Sequence, residues 1–359
     1  MALELKNVGK KVGADVHIRP TNLTLEAGSF NILLGTTLAG KTTLMQIMAG
    51  LEKPTSGEIW FNGKNVTGVA VQKRNVSMVY QQFINYPNMS VFENIASPLR
   101  VARLPDNEVN DRVGAMAELM QISAMLDRRP SELSGGQQQR TAMARALVKD
   151  SELILLDEPL ANLDFKLREE LRDELPKLFA ERNCLVIYAT TEPSEALLLG
   201  GRTAAMHEGS VVDFGPTSEI YRNPVNLTSA KVLSEPPINT ADVEKHAGRL
   251  VMNEQVSWAA PENLPDGRYT IGLRPHHVLP VRKGSNPVAI SGRVKVAELS
   301  GSESIIHFDA YDNPWVSLSH GVHPFGTGEQ AELYADMSKC MFFDATGQLV
   351  DLSSGRKAA

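Results

Sequence analysis

Short apolar runs alternate with helical stripes over the first two thirds of the chain. Residues 3–8 alternate apolar and polar positions in the manner of an edge strand, and Phe30–Leu34 reads as a buried strand feeding a glycine-rich loop. Lys41–Ala49 suits a helix that Gly50 closes. Residues 57–63 read as a strand ending in an Asn-Gly turn, and 76–80 as a further strand. From Val91 to Lys149 the texture is helical. Within 111–122, Val113, Met116, Leu119 and Met120 make one stripe, and 137–147 repeats that pattern. Residues 153–156 and 185–188 are continuous apolar runs of the kind found in parallel sheets. The helix expected between them, near 165–181, contains Pro176, which predicts a kink or break there.

The pattern changes at Ser234-Glu235-Pro236-Pro237-Ile238-Asn239. Beyond it, short strands such as 268–273, 293–299 and 304–308 are separated by Gly, Asn, Asp and Pro, as in a small all-β barrel. The boundary therefore falls near residue 236, giving an α/β domain over 1–235 and a β domain over 236–359. No repeat of fixed period interrupts either part, and the tail 353–359 reads as disordered.

Composition narrows the class further. The chain has 359 residues, 42% of them hydrophobic and 22% charged, which is ordinary for a globular protein of two domains. A net charge of −6 supplies no basic field for nucleic acid. Met1 to Lys6 lacks the basic region and apolar core of a signal peptide. No apolar run nears the roughly 20 residues needed to span a bilayer, so any membrane part must come from other subunits. Cys184 and Cys340 belong to no ligand cluster and read as reduced cytosolic thiols.

Three motifs carry the chemistry. Gly35-Thr36-Thr37-Leu38-Ala39-Gly40-Lys41-Thr42, continued by Thr43, fits the pattern G-x-x-x-x-G-K-[ST]. Its backbone N–H groups would wrap phosphates at the positive end of the following helix, with Lys41 on the β- and γ-phosphates and the Thr42 hydroxyl on Mg²⁺. The run 153–156 delivers Asp157 to a strand end, where a carboxylate can hold a magnesium-bound water. Glu158 stands where a general base would polarise the attacking water. The third motif, Leu133-Ser134-Gly135-Gly136-Gln137, opens a helix: its glycines allow close backbone approach, and Ser134 offers a hydroxyl at a positive helix end. Ser134 could equally cap its own helix.

Together, in this order, these motifs resemble the ATPase subunit of an ATP-binding-cassette transporter. The resemblance covers essentially the whole chain. It implies an α/β P-loop ATPase domain with a helical subdomain over about 85–150, followed by a small all-β, OB-like regulatory domain. It also implies that Gln81, by its register in Val-Tyr-Gln before Phe-Ile-Asn-Tyr-Pro, is the Q-loop glutamine that approaches Mg²⁺ and the water; Gln82 is its neighbour. In this family the signature Ser134–Gln137 grips the γ-phosphate held by the other subunit of a head-to-tail dimer. Asp164 resembles the D-loop residue of that interface. The stretches 81–100 and 160–168 look like the carbohydrate-importer branch, of maltose and glycerol-phosphate type. Residues 273–277 and 301–303 resemble the motifs of that branch's C-terminal domain.

Two departures from the family pattern matter more than the matches. Where relatives read Ile-Tyr-Val-Thr-His-Asp, this chain has Ile187-Tyr188-Ala189-Thr190-Thr191-Glu192, so Thr191 replaces the switch histidine. No histidine lies between Gln46 and His207 to stand in for it. The position that usually presents an aromatic ring to adenine is Val12. A missing base–aromatic stack is worth roughly 1–3 kcal/mol.

The resemblance implies ATP and Mg²⁺ as cofactors, and as partners two membrane-spanning permease subunits, a periplasmic solute-binding protein and a second ATPase subunit. Because Thr191 weakens this chain's own site, the second ATPase is expected to be a different chain that carries the histidine. The chain would work at the cytoplasmic face of the inner membrane, on a sugar, a polyol such as glycerol, or a sugar phosphate. Two other readings remain: a non-transport cassette protein, and a nearly inactive partner that donates its signature. One cassette with a β domain counts against the first, and intact Lys41, Asp157 and Glu158 against the second. His276 and His277, as strand neighbours, would face opposite ways, which is poor metal-site geometry. Met116, Met120 and Met143 read as packing residues.

Overall fold

A computed structural model describes residues 1–28, 30–161, 163–180, 182 and 184–352. The tail 353–359, Asn162 of the D-loop stretch and Glu181 at the expected helix end lie outside the described residues. The chain divides into two compact units, Met1–Ser218 and Glu219–Ala359.

The first unit opens with β1 (Ala2–Val12) and β2 (Asp15–Glu26), followed by the buried strand β3 (Phe30–Leu34) and helix α1 (Lys41–Ala49). Next come β4 (Ser56–Phe61), β5 (Lys64–Asn65) and β6 (Val76–Val79). The strands β2-β1-β4-β5 form an antiparallel sheet, so β1 is interior, with partners on both sides, and not the expected edge strand. Its alternation has another cause. Leu3, Leu5 and Val8 face a core shared with Leu25, Leu44 and Ile59, and the other side faces solvent. The turn between β4 and β5 places Asn62 and Gly63 at φ 49° and 73°, the left-handed pair that a two-residue hairpin needs.

The helical part contains α2 (Val91–Val101), α3 (Asp106–Leu119) and α4 (Gly135–Leu147). They bury Ile95, Leu99, Val113, Met116, Met143 and Leu147; of the stripe expected over 111–122, Met120 is buried just past the end of α3 and Leu119 is half-buried. The chain then returns through β7 (Leu153–Asp157), α5 (Phe165–Ala180), β8 (Leu185–Thr190), α6 (Pro193–Leu199), β9 (Arg202–His207) and β10 (Ser210–Pro216). Pro176 does not break α5, which continues to Ala180. Leu167, Leu171, Leu175 and Phe179 are buried along one side, and that packing holds the helix across the lost hydrogen bond.

The second sheet has the order β10-β9-β3-β8-β7-β6, parallel apart from β10. Parallel strands bring the ends of β3, β6, β7 and β8 to one side of the sheet. That crevice is where open α/β sheets bind ligands.

In the second unit, α7 (Thr217–Arg222), which starts at the division, and α8 (Leu227–Val232) precede ten strands among the described residues. These form two five-stranded antiparallel sheets around one core, with Val243, Leu250 and Ile271 from one sheet and Ile290, Phe308 and Leu333 from the other. The all-β expectation for this part therefore holds. The division at Ser218 precedes the change of texture near 236 because the intervening helical segment packs on the β unit. Leu227 and Ala230 join Ile238 and Phe343 in a small cluster. Arg274 is buried, donates to the carbonyls of Tyr221 and Leu233, and lies 3.5 Å from the Tyr221 ring centre. His276 and His277 lie in a 3-10 turn, Pro275–His277, and not in a strand. Their ring centres are 4.2 Å apart.

Candidate functional site

The crevice holds a cavity of about 540 Å³, lined by Thr37, Leu38, Gly40, Lys41, Thr42, Thr43, Gln81 and Glu158, together with Val16, His17, Arg19, Glu208 and Gly209. Strand β3 and helix α1 fix the loop between them. Gly40 takes φ 98° at the start of α1, and no side chain caps the helix, so its first backbone N–H groups are left for a ligand. A Cβ at Gly35 would come within 2.5 Å of the Met206 carbonyl oxygen, so only glycine lets the loop turn this close to β9. Leu38 sits at φ 69° with 95% of its surface exposed, while Ala39 is buried beneath.

Lys41 is 5% exposed, and its Nζ donates to the carbonyls of Gly35 (2.8 Å) and Thr36 (3.2 Å). It also lies 3.5 Å from Glu158 Oε1. Burial lowers the Lys41 pKa, against the pull of Glu158 and Asp157. The ammonium is thus held at the cavity by two carbonyls and one carboxylate, poised to take a stronger anion. A polyphosphate is such an anion.

Asp157 ends the fully buried strand β7 and accepts a 2.7 Å hydrogen bond from the Thr42 hydroxyl. Burial raises its pKa; Glu158 adds to this, and the Thr42 bond and Lys41 oppose it. Its second oxygen, Oδ1, is buried without a hydrogen-bond partner among the described residues. A buried carboxylate oxygen left unmatched beside a threonine hydroxyl fits a hydrated divalent cation. No group of three or more His, Cys, Asp or Glu that could cage a metal occurs among the described residues. The donors therefore suit a small hard ion that keeps waters and ligand phosphates, as Mg²⁺ does.

Glu158 turns away from the strand at φ 48°, with its N–H on the Ala189 carbonyl (3.0 Å). Gln81 Nε2 donates to Glu158 Oε2 at 2.9 Å. So β6, β7 and α1, distant in sequence, place Gln81, Asp157, Glu158, Lys41 and Thr42 around one space.

Other expected residues stand elsewhere on the unit. Ser134 and Gly135 are exposed, and Ser134 caps α4 in a reciprocal box with Gln137 (3.4 and 2.9 Å). Gly136 follows within the first turn of α4. Asp164 caps α5 through the Leu167 N–H (3.1 Å). Thr191 follows the end of β8, and Val12 ends β1 with 52% exposure; neither lines the cavity. The lining residues missed in the sequence are His17, Arg19, Val16, Glu208 and Gly209. They carry no local motif. The backbone bond from Arg19 N–H to the Gly209 carbonyl (2.8 Å) brings their two segments together.

A glycine loop on a parallel strand, facing a strand-end carboxylate pair, defines a nucleotide-binding P-loop ATPase. The sequence matches the ABC transporter family over residues 18–161. It is 36% identical over 360 residues, with 96% of both chains covered, to the maltose/maltodextrin import ATP-binding protein MalK of Mannheimia succiniciproducens. It is 35% identical over 312 residues, 85% of both chains, to the sn-glycerol-3-phosphate import ATP-binding protein UgpC of Bordetella parapertussis. Among solved structures it is similar to a dimeric ATP-binding cassette in a post-hydrolysis state bound to ADP and Pi. That match has a TM-score of 0.56 and 29% identity, covering 60% of this chain and 98% of the other. The chain belongs to the ATP-binding subunits of ABC transporters, in the branch of the maltose and glycerol-phosphate importers, and is an ATPase. No helix among the described residues is long and apolar enough to cross a membrane.

Proposed function

We propose that this chain binds MgATP in the crevice and energises import of a sugar, a polyol such as glycerol, or a sugar phosphate. The observation that carries this is the convergence of Lys41, the Thr42–Asp157 pair and the Gln81–Glu158 pair on one cavity. The loop Gly35–Thr43 cradles the phosphates, and Lys41 exchanges its carbonyl partners for phosphate oxygens. Thr42, Asp157 and Gln81 would hold Mg²⁺, which when bound neutralises charge on the phosphates. Glu158 accepts the proton of the attacking water, and Gln81 holds that carboxylate in place. The solute class rests on likeness to importers named for maltose/maltodextrin and for glycerol phosphate.

Ser134, Gly135 and Asp164 are exposed, with Gly136 and Gln137 half-buried beside them in the first turn of α4, where a second ATPase chain can meet them. That chain is proposed to be a different one. Thr191 cannot supply the imidazole of the switch position, and losing one preorganised transition-state contact costs about 10²–10³ in rate. A homodimer would have two weakened sites. A heterodimer keeps one sound site, built from the partner's phosphate loop and this chain's signature. Two permease subunits and a periplasmic solute-binding protein complete the proposed assembly at the cytoplasmic face of the inner membrane.

The test is to purify the assembly, count its ATPase subunits by mass and measure ATP-driven uptake of labelled glycerol, maltose and glycerol phosphate. Two copies of this chain with brisk turnover would overturn the unequal pairing. Absence of uptake for all three solutes would overturn the solute class.

A further inference from the structure

Arg168 stands one turn into α5 and uses both ends of its guanidinium fork. Nη2 donates to the Ala161 carbonyl at 3.2 Å, and Nη1 donates to Glu192 Oε1 at 3.3 Å. Each contact leads to a different functional turn. The Ala161 N–H donates to the Glu158 carbonyl (3.4 Å), so Ala161 belongs to the turn that holds the general base. Glu192 follows Thr191 directly, and its N–H donates to Thr190 Oγ1 (3.0 Å). Thr190 in turn donates to the buried carboxyl of Glu195 (2.7 Å), which also accepts from the Tyr188 hydroxyl (3.1 Å). Thr191 is thus suspended between two residues, one anchored in the core and the other held by Arg168.

We propose that Arg168 is a positioning residue that couples the turn of Glu158 and Ala161 to the switch position at Thr191. The inference rests on the reading of this site as an ATPase. The pair is half exposed, 24% and 40% for the two side chains, and an ion pair in that setting adds little to stability. The Nε of Arg168 is buried without a hydrogen-bond partner among the described residues, so only the two outer nitrogens carry the link. When the surface around Asp164 meets a second chain, a displacement at Ala161 reaches Glu192 through one rigid planar group. Lysine can keep the charge but cannot span both acceptors in a fixed plane.

The test compares Arg168→Ala, Glu192→Ala, the double variant and Arg168→Lys in an assembly whose only ATPase subunit is this chain, so that turnover reads this chain's own site. Each single alanine variant is expected to lower kcat roughly 3- to 30-fold, with nucleotide affinity and thermal midpoint unchanged. The double variant should fall no further than the singles, and Arg168→Lys should recover part of the loss. Unchanged kcat in Arg168→Ala, losses that multiply in the double variant, or a thermal midpoint that falls with kcat would each overturn the coupling. Turnover that survives Glu158→Gln in an assembly with no other ATPase subunit would overturn the underlying site reading, and this inference with it.

Discussion

Gln81 Nε2 donates to Glu158 Oε2 at 2.9 Å, while the other oxygen of the same carboxylate lies 3.5 Å from Lys41 Nζ. One side chain thus stands between Gln81, which would approach Mg²⁺, and Lys41, which would hold the phosphates. Glu158→Gln keeps the shape, but its amide offers one acceptor oxygen where the carboxylate offers two, and it cannot accept a proton. It is expected to bind MgATP as the native chain does and to lose turnover by about 10²-fold or more. Single-turnover kinetics with labelled ATP, in an assembly with no other ATPase subunit, checks this; normal hydrolysis would remove Glu158 from the role of base.

Lys41→Ala takes a cation from the cavity and leaves the carbonyls of Gly35 and Thr36 without their donor. Loss of a charge-assisted contact predicts weaker nucleotide binding, by roughly 1.5–3 kcal/mol. Titration with a fluorescent ATP analogue reads the change, and unaltered affinity would contradict the phosphate-loop assignment.

Leu38 adopts φ 69° in the phosphate loop, with 95% of its surface exposed. A left-handed conformation costs an L-residue about 1–2 kcal/mol, and glycine returns about 0.5–1 kcal/mol of that through a freer unfolded chain. Since almost no packing is lost, Leu38→Gly is expected to stabilise the nucleotide-free chain by about 0.5–1 kcal/mol. Urea unfolding measures it, and destabilisation would show that Leu38 makes a contact worth more than its strain.

Val12 offers no ring for the adenine to stack on. Val12→Tyr is expected to tighten ATP binding by up to roughly 1–3 kcal/mol, and the native chain to discriminate poorly between ATP and GTP. Competition titrations test both. No gain in affinity for the tyrosine variant would mean that another group holds the base.

Burial draws the His277 imidazole down to about 4, and the adjacent His276 adds to the effect. The folded chain keeps this ring neutral, while the unfolded chain protonates it near its ordinary value of 6.5. The corresponding stability is whole above about pH 6.5 and is lost as pH falls towards about 4. Thermal melts of the native chain and His277→Gln between about pH 7 and pH 5 should show a shallower acid slope for the variant. Parallel slopes would place the acid sensitivity elsewhere.

The parts whose physics is local could be read directly along the chain. A continuous apolar run can only be a buried strand in this context, so Phe30–Leu34, 153–156 and 185–188 were legible. Glycine at 35 and 40 with Lys41 and Thr42 marks a phosphate loop wherever it follows such a strand. The Ser134–Gln137 box and the Asn62-Gly63 turn are equally local, since their hydrogen bonds or dihedrals close within four residues. Whatever depends on pairing between distant segments came only from the fold. β1 became an interior strand because β2 and β4 close on both its sides, which alternation along one strand cannot reveal. α5 survived Pro176 because its buried stripe outweighs one missing hydrogen bond. The helical segment after Ser218 joined the β unit through Arg274 and Phe343, two contacts made from far along the chain. His17, Arg19 and Gly209 reached the cavity, and Arg168 reached both Ala161 and Glu192, only because the fold closes those distances. A backbone bond or an ion pair between segments leaves no period or motif in either of them.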